Sequence, residues 1–230
     1  VDVMSIDLET PTETDERDTS RRSFPVVLVA VLVVAALTVA GTVGWLVGNS
    51  DNSGTSPPAE SSVDAGFARD MSTHHTQAVD MAGYARDNTD DPSIQILARD
   101  IETQQYFQLG EMQGWLDNWG LSRTSSLATM SWMAGHSHLE PDGLMPGMAT
   151  PAELDKLETL TGKPLDIYFL QLMIRHHQGG LPMAQYAAEQ ATEPYVRNLA
   201  QKMAQAQSNE IVQMEQTLRQ LGGTPLPAPS

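Results

Sequence analysis

The chain has 230 residues, a formal net charge of −16 and no cysteine. That charge argues against nucleic acid and against an anionic membrane surface as partners. The lack of cysteine excludes a disulfide framework, a thiolate zinc site and a lipidated cysteine.

Residues 1–23 are polar and acid-rich, and they read as a disordered cytoplasmic tail. Residues 24–48 form an apolar run, FPVVLVAVLVVAALTVAGTVGWLVG, inside a stretch from Ser23 to Ser50 that carries no charge. A bilayer span needs about 20 apolar residues. The apolar part of a cleaved signal peptide is shorter, about 7–15. The run therefore predicts a transmembrane anchor, with Trp45 near its far end at an interface. Arg21 and Arg22 precede it, so the positive-inside rule leaves the N-terminus in the cytoplasm and exports the rest into the cell envelope. Residues 49–61 are a Ser/Gly/Pro linker, 62–223 the folded domain and 224–230 a tail.

Within that domain apolar spacing predicts a helix over 62–89 and another over 93–119. The break between them, NTDDPS, places Pro92 at a helix start. A Met/His-rich loop over 124–150 follows. Thr150, Pro151 and Glu153 then mark the start of a short helix over 151–160. Two more long helices are predicted over 164–191 and 194–221. Strand signals are nearly absent, so the expected class is all-α, most simply a four-helix bundle of two helical hairpins.

The hairpins look duplicated. ARDMSTHHTQAVDMAG from Ala68 and LQLMIRHHQGGLPMAQ from Leu170 share the skeleton M-x-x-H-H-x-x-x-x-x-M, 102 residues apart. The same offset pairs Asp64 with Asp166, Gln105 with Gln207, Met112 with Met214 and Gly120 with Gly222. Repeat units of about 62–120 and 164–222 follow.

All six histidines fall in three places, His74/His75, His136/His138 and His176/His177, each with methionines nearby. Imidazole suits copper, zinc, iron and nickel, and thioether is soft and selects Cu(I). A His/Met set without cysteine therefore points to copper, and by the same softness to silver. Candidate ligands are Met71, His74, His75, Met81, Met173, His176, His177 and Met183, with His136, His138, Met145 and Met148 in the loop. Met71 stands i,i+3 from His74 and i,i+4 from His75, so it pairs with either. Neighbouring helical residues diverge by about 100°, so one histidine of each pair is expected inside the bundle and the other toward an adjacent helix or the loop. The competing reading of Met81, Met183, Met112 and Met214 is core filling.

At these residues the chain resembles a known bacterial family. FARDMSTHHTQAVDMA and MPGMATPAELDKLETLTGKPLDIYFLQLMIRHHQGGLPMA are similar to the proteins of the DUF305 family, over about residues 62–221. The resemblance implies a ferritin-like four-helix fold and exported copper binding associated with copper tolerance. It implies ligation through Met71, His74, His75, Met173, His176 and His177, with the Met-rich loop contributing. The family pattern Q-x-x-E-I-x-x-M is kept at Gln207, Glu210, Ile211 and Met214, but the first unit reads Gln105, Gln108, Leu109 and Met112. Glu210 and Gln108 are thus expected behind the imidazoles as hydrogen-bond partners, one charged and one not. HHQGGLPM departs from the family too. Pro182 is expected to kink its helix, with Gly179 and Gly180 loosening it, leaving a distorted turn beside His176 and His177.

The expected function is a membrane-anchored extracytoplasmic protein that stores, buffers or gives tolerance to copper, without catalysis. One alternative is an accessory or copper-delivery subunit of a membrane protein complex. Another is a di-metal oxidase on the same bundle, disfavoured because such sites use Glu-x-x-His motifs and none is present.

Overall fold

The computed structural model describes residues 56–135 and 139–229. The expected cytoplasmic tail, the span over 24–48, most of the linker, and His136 and His138 lie outside the described residues. Among the described residues no helix is long and apolar enough to cross a membrane.

The described chain is all-α, with five helices and no strand among the described residues. They are α1 (Val63–Asn88), α2 (Pro92–Asn118), α3 (Pro151–Leu157), α4 (Gly162–Gln190) and α5 (Pro194–Gln220). Local chemistry sets their ends. Ser62 caps α1 by accepting the Ala65 N–H at 3.1 Å, and Asp91 caps α2 by accepting the Ser93 N–H at 2.8 Å. Thr150 and Glu153 close a capping box on α3. That helix stops short of the predicted residue 160, because the N–H groups of Thr159 and Leu160 turn back to Lys156 and Leu157.

α1 packs along α2, α4 packs along α5, and the two hairpins meet through α1 and α4. Two aspartates lock that meeting. Asp64, at the start of α1, accepts the N–H groups of Thr192 and Glu193 where α5 begins, at 3.1 and 2.8 Å. Asp166, at the start of α4, accepts the Thr89 hydroxyl before α2 at 2.5 Å. Each helix start is thus tied to the other hairpin's turn, so α1 and α4 run antiparallel.

The core divides into two apolar clusters. One holds Ala78 and Met81 of α1, Ile94–Ile101 of α2, Leu165–Ile174 of α4, and Met214 and Leu218 of α5. The other holds Met71, Met112 and Leu116, Met183, and Val196 to Met203, with Met130, Trp132, Met133 and Met145 from the long loop. On every long helix a polar group interrupts the change from one cluster to the other. These are His74 and His75 on α1, Gln105 and Gln108 on α2, His176 and His177 on α4, and Gln207 and Glu210 on α5.

α4 runs unbroken through Pro182. The distorted turn expected beside His176 and His177 does not interrupt the helix. Gly179 and Gly180 have a different reason to be there. A Cβ on Gly179 would stand 1.9 Å from the Pro146 carbonyl oxygen and 2.6 Å from the Gly147 nitrogen. A Cβ on Gly180 would stand 3.1 Å from the His74 ring. These glycines admit a neighbouring backbone and an imidazole rather than loosening the helix.

Candidate metal centre

Four imidazoles occupy the polar layer, and all four are at most 1 % exposed. His74 and His176 face each other across the α1–α4 seam, with ring centroids 3.8 Å apart. His75 turns to α2, where its Nε2–H donates to Gln108 Oε1 at 2.7 Å. His177 turns to α5, where its Nε2–H donates to Glu210 Oε2 at the same 2.7 Å. Both contacts span 33 residues. One histidine of each pair was expected inside the bundle and the other toward an adjacent helix or the loop; all four are buried, His74 and His176 at the seam and His75 and His177 turned to α2 and α5. Gln108 and Glu210 stand hydrogen-bonded to His75 and His177.

Hydrogen-bond accounting fixes which ring atoms are available. The Gln108 carbonyl, the Glu210 carboxylate and the Pro146 carbonyl can only accept. Nε2 therefore carries the proton in His75, His177 and His74, whose bond to Pro146 is 3.2 Å. This leaves Nδ1 of His74 and His75 with its lone pair, and Nδ1 of His74, His75 and His177 has no hydrogen-bond partner. In His176 neither nitrogen has one. A buried polar atom without a partner costs about 1–3 kcal/mol. Packing alone does not account for five such nitrogens in one layer.

Burial also sets the protonation state. It pushes His74 down to about 4 and His75 down to about 3, against the opposing effect of their hydrogen bonds. Burial, then the neighbouring His74, His177 and His75, hold His176 well below the ordinary histidine value. Neutral imidazole is the form that ligates metals.

Methionine sulfurs bracket this layer. Met71, Met112 and Met183 lie in one apolar cluster, and Met173, Met214 and Met81 in the other, all at most 1 % exposed. Met145 is buried with the first group, and Met148 packs half-buried against it. Among the described residues no three His, Asp or Glu side chains stand together as a ready ligand set. An ion in this layer would draw on imidazole together with thioether.

The strap from Met145 to Ala149 is the feature the motifs did not reveal. Its Pro146 carbonyl meets His74. The Gln77 side chain grips Ala149 from both sides, accepting its N–H at 2.7 Å and donating to its carbonyl at 2.9 Å. Gly147, at φ 79°, sits so close to α4 that a Cβ would be 2.3 Å from the Arg175 carbonyl oxygen. Arg175 in turn holds Glu153 through two bonds of 2.9 and 2.7 Å, and that pairing holds the Glu153 carboxyl below its ordinary range. Farther up the loop, Asp70 accepts the Met130 N–H at 2.7 Å and the Trp132 indole N–H at 2.8 Å. Asp70, four residues before His74, thus anchors the loop instead of joining the imidazoles. Gly66 lies close beneath the Trp132 ring, where a Cβ would stand 2.3 Å from a ring carbon.

A model for the domain of unknown function DUF305 matches residues 64–218. The chain belongs to the DUF305 family. Among solved structures it is similar to a DUF305 protein of Streptomyces coelicolor described as a candidate secreted protein. The identity is 46 %, over 74 % of this chain and 99 % of that one, with a TM-score of 0.68. A DUF305 fragment from Deinococcus radiodurans is 31 % identical over 71 % of this chain and 99 % of its own, with a TM-score of 0.59. CopM in its Cu(I)-bound form is 29 % identical over 70 % of this chain and 98 % of its own, with a TM-score of 0.55. CopM is also solved in Cu(II)- and Ag-bound forms. No curated protein matches the chain in sequence.

Proposed function

We propose that this DUF305 protein is an extracytoplasmic copper-binding protein that stores or buffers copper and so contributes to copper tolerance. The observation that carries this reading is the buried layer of four imidazoles with unpartnered nitrogens, bracketed by methionine sulfurs. Nδ1 of His74, His75 and His177, either nitrogen of His176, and the sulfurs of Met71 and Met173 are the atoms that would hold the ion. Met81 and Met183 stand a further two turns along the same helices. Met145, Met148, His136 and His138 belong to the loop's contribution.

Such a donor set suits Cu(I) and Ag(I), which take soft thioether and imidazole ligands. The similarity to CopM, solved with both metals, supports the same choice. The two hairpins are read as a duplicated unit forming a ferritin-like four-helix bundle, and the residue 24–48 run as its membrane anchor. The similarity to the Streptomyces protein supports an exported domain. Nothing in this reading requires catalysis.

The test is anaerobic Cu(I) titration of the full chain against a competing chelator, repeated with His74, His75, His176 and His177 changed to Ala. Loss of the tightest copper equivalents in the variant is expected. Unchanged affinity would sink the ligand assignment.

A further inference from the structure

The buried stripe of α5 reads Val196, Ala200, Met203, Gln207, Met214 and Leu218. One polar side chain stands among apolar ones. Gln207 is 4 % exposed, and its Oε1 is buried without a hydrogen-bond partner. An oxygen left unmet in this way costs about 1–3 kcal/mol. Packing therefore gives no reason for an amide at this place.

What the oxygen faces does give one. A Cβ on Gly180 would stand 3.2 Å from Gln207 Oε1 and 3.4 Å from His74 Nδ1. The two atoms thus converge on one point beside the α4 backbone, and the glycine leaves them that room. His74 Nδ1 is also buried and unpartnered, and its lone pair is free because Nε2 gives its proton to Pro146. His176, with neither ring nitrogen partnered, lies against His74 at 3.8 Å between ring centroids. Two acceptors that meet at one point do not satisfy each other. They need an electron-poor species between them. The 102-residue offset puts Ala78 at the matching place of α1, so the glycine that admits the pair is present in one half only.

An imidazole nitrogen beside an amide oxygen is not a soft pair. Nitrogen and oxygen donors suit Cu(II), whereas thioethers select Cu(I). We infer that Gln207 is an oxygen ligand of the histidine layer, acting with His74 Nδ1, and that it sets the layer's hold on Cu(II) as distinct from Cu(I). The inference rests on the reading of this layer as a copper site and adds a ligand from outside the His/Met set. The methionines serve the monovalent ion, and Gln207 serves the divalent one.

The full chain is titrated with Cu(II) and, separately, with Ag(I), each against a competing chelator, as the parent, Q207M and Q207E. Methionine keeps the unbranched shape of glutamine without its oxygen, and glutamate keeps an oxygen. Q207M is expected to weaken Cu(II) by about tenfold or more and to alter its EPR spectrum, while Ag(I) is held as in the parent. Q207E is expected to hold Cu(II) at least as tightly as the parent. Parental Cu(II) affinity and spectrum in Q207M overturn the inference, since a water that donates to both acceptors is then the occupant. Equal loss of Cu(II) and Ag(I) in both variants overturns it too, because Gln207 then only supports the packing of the layer. A parent chain that binds Ag(I) and not Cu(II) overturns this inference alone. One that binds neither overturns the copper reading of the layer as well, so the two failures are distinct.

Discussion

The two hairpins build their halves of the histidine layer with the same geometry and different charge. On one side His75 donates to a neutral amide, Gln108, at 2.7 Å; on the other His177 donates to a carboxylate, Glu210, at 2.7 Å. They differ again one turn along. Gln77 of α1 grips the strap at Ala149, while Gly179 of α4, its counterpart at the 102-residue offset, yields space to the strap at Pro146. The matched contacts of the two hairpins thus carry an asymmetric cover, and Gln77 and Gly179 make that cover fit. The lesson is that geometry alone does not make the halves equivalent. Charge tunes one, and the strap closes over the seam between them.

The sharpest way to break the comparison is to make the two halves alike at the strap. Gly179→Gln copies the residue of the first hairpin into the second. Its Cβ alone would meet the backbone of Pro146 and Gly147. Those are backbone atoms that cannot swing aside, so the strap must lift. Overpacking costs about 1–3 kcal/mol. The exposed His74 and the lost backbone fit put this variant at the upper end, about 3 kcal/mol. Thermal unfolding of the metal-free chain measures it, and an unchanged melting temperature would show that the strap is not held there.

Acidity attacks the layer as a whole. Unfolded histidine titrates near 6.5, while His74 and His75 in the fold are pushed down to about 4 and about 3. Below 6.5 the unfolded chain takes up protons that the folded chain refuses, so stability falls with pH. The contribution is full above about 6.5 and is lost progressively as pH drops toward 4 for His74 and 3 for His75. The slope is at most about 1.4 kcal/mol per pH unit for each histidine. Unfolding free energies of the metal-free chain from urea titration at pH 7.5 and pH 5 should therefore differ by about 2–3 kcal/mol after discount for local relaxation. Replacing His75 by Gln should flatten that slope.

A smaller loss is expected at the strap's other grip. Gln77→Ala leaves both the N–H and the carbonyl of Ala149 without their partner. Unsatisfied buried groups cost about 1–3 kcal/mol. Water at the half-buried Gln77 site repays part of it, so about 1–2 kcal/mol is expected. Hydrogen exchange at the Ala149 amide reads the loosening directly, and protection equal to the parent would contradict it.

Much of this arrangement was legible before the fold. Helix ends follow Ser62, Pro92, Thr150 and Pro194, whose capping and first-turn roles are local. The repeated HH pairs are plain in the sequence, and their partners Gln108 and Glu210 were expected from the family's Q-x-x-E-I-x-x-M pattern. The strap was not legible, because no local rule says where a Pro-Gly segment will dock. Gly179 and Gly180 read as loosening residues by propensity, yet close approach of another backbone is what they serve. Asp70 stands four residues before His74, but its partners sit 60 and 62 residues away. The division of the methionines between two clusters likewise depends on antiparallel packing of α1 and α4, which sequence spacing leaves open.

The reciprocal pair Glu210→Gln and Gln108→Glu tests the charge difference with the least disturbance to the fold. Either exchange keeps the shape and keeps an oxygen that accepts the Nε2–H. A carboxylate behind the ring makes the far nitrogen a stronger donor to a metal. Glu210→Gln should therefore weaken copper held by the second half, and Gln108→Glu should tighten copper held by the first. Changes to such supporting groups alter metal affinity about 10–100-fold. The low end is expected, because Glu210 is partly exposed, with 19 % side-chain exposure. Chelator competition on each variant and on the double exchange reads this. If the carboxylate sets the difference, the double exchange restores two unequal sites with their order reversed. If both single variants match the parent, the halves differ in name only, and the strap alone distinguishes them.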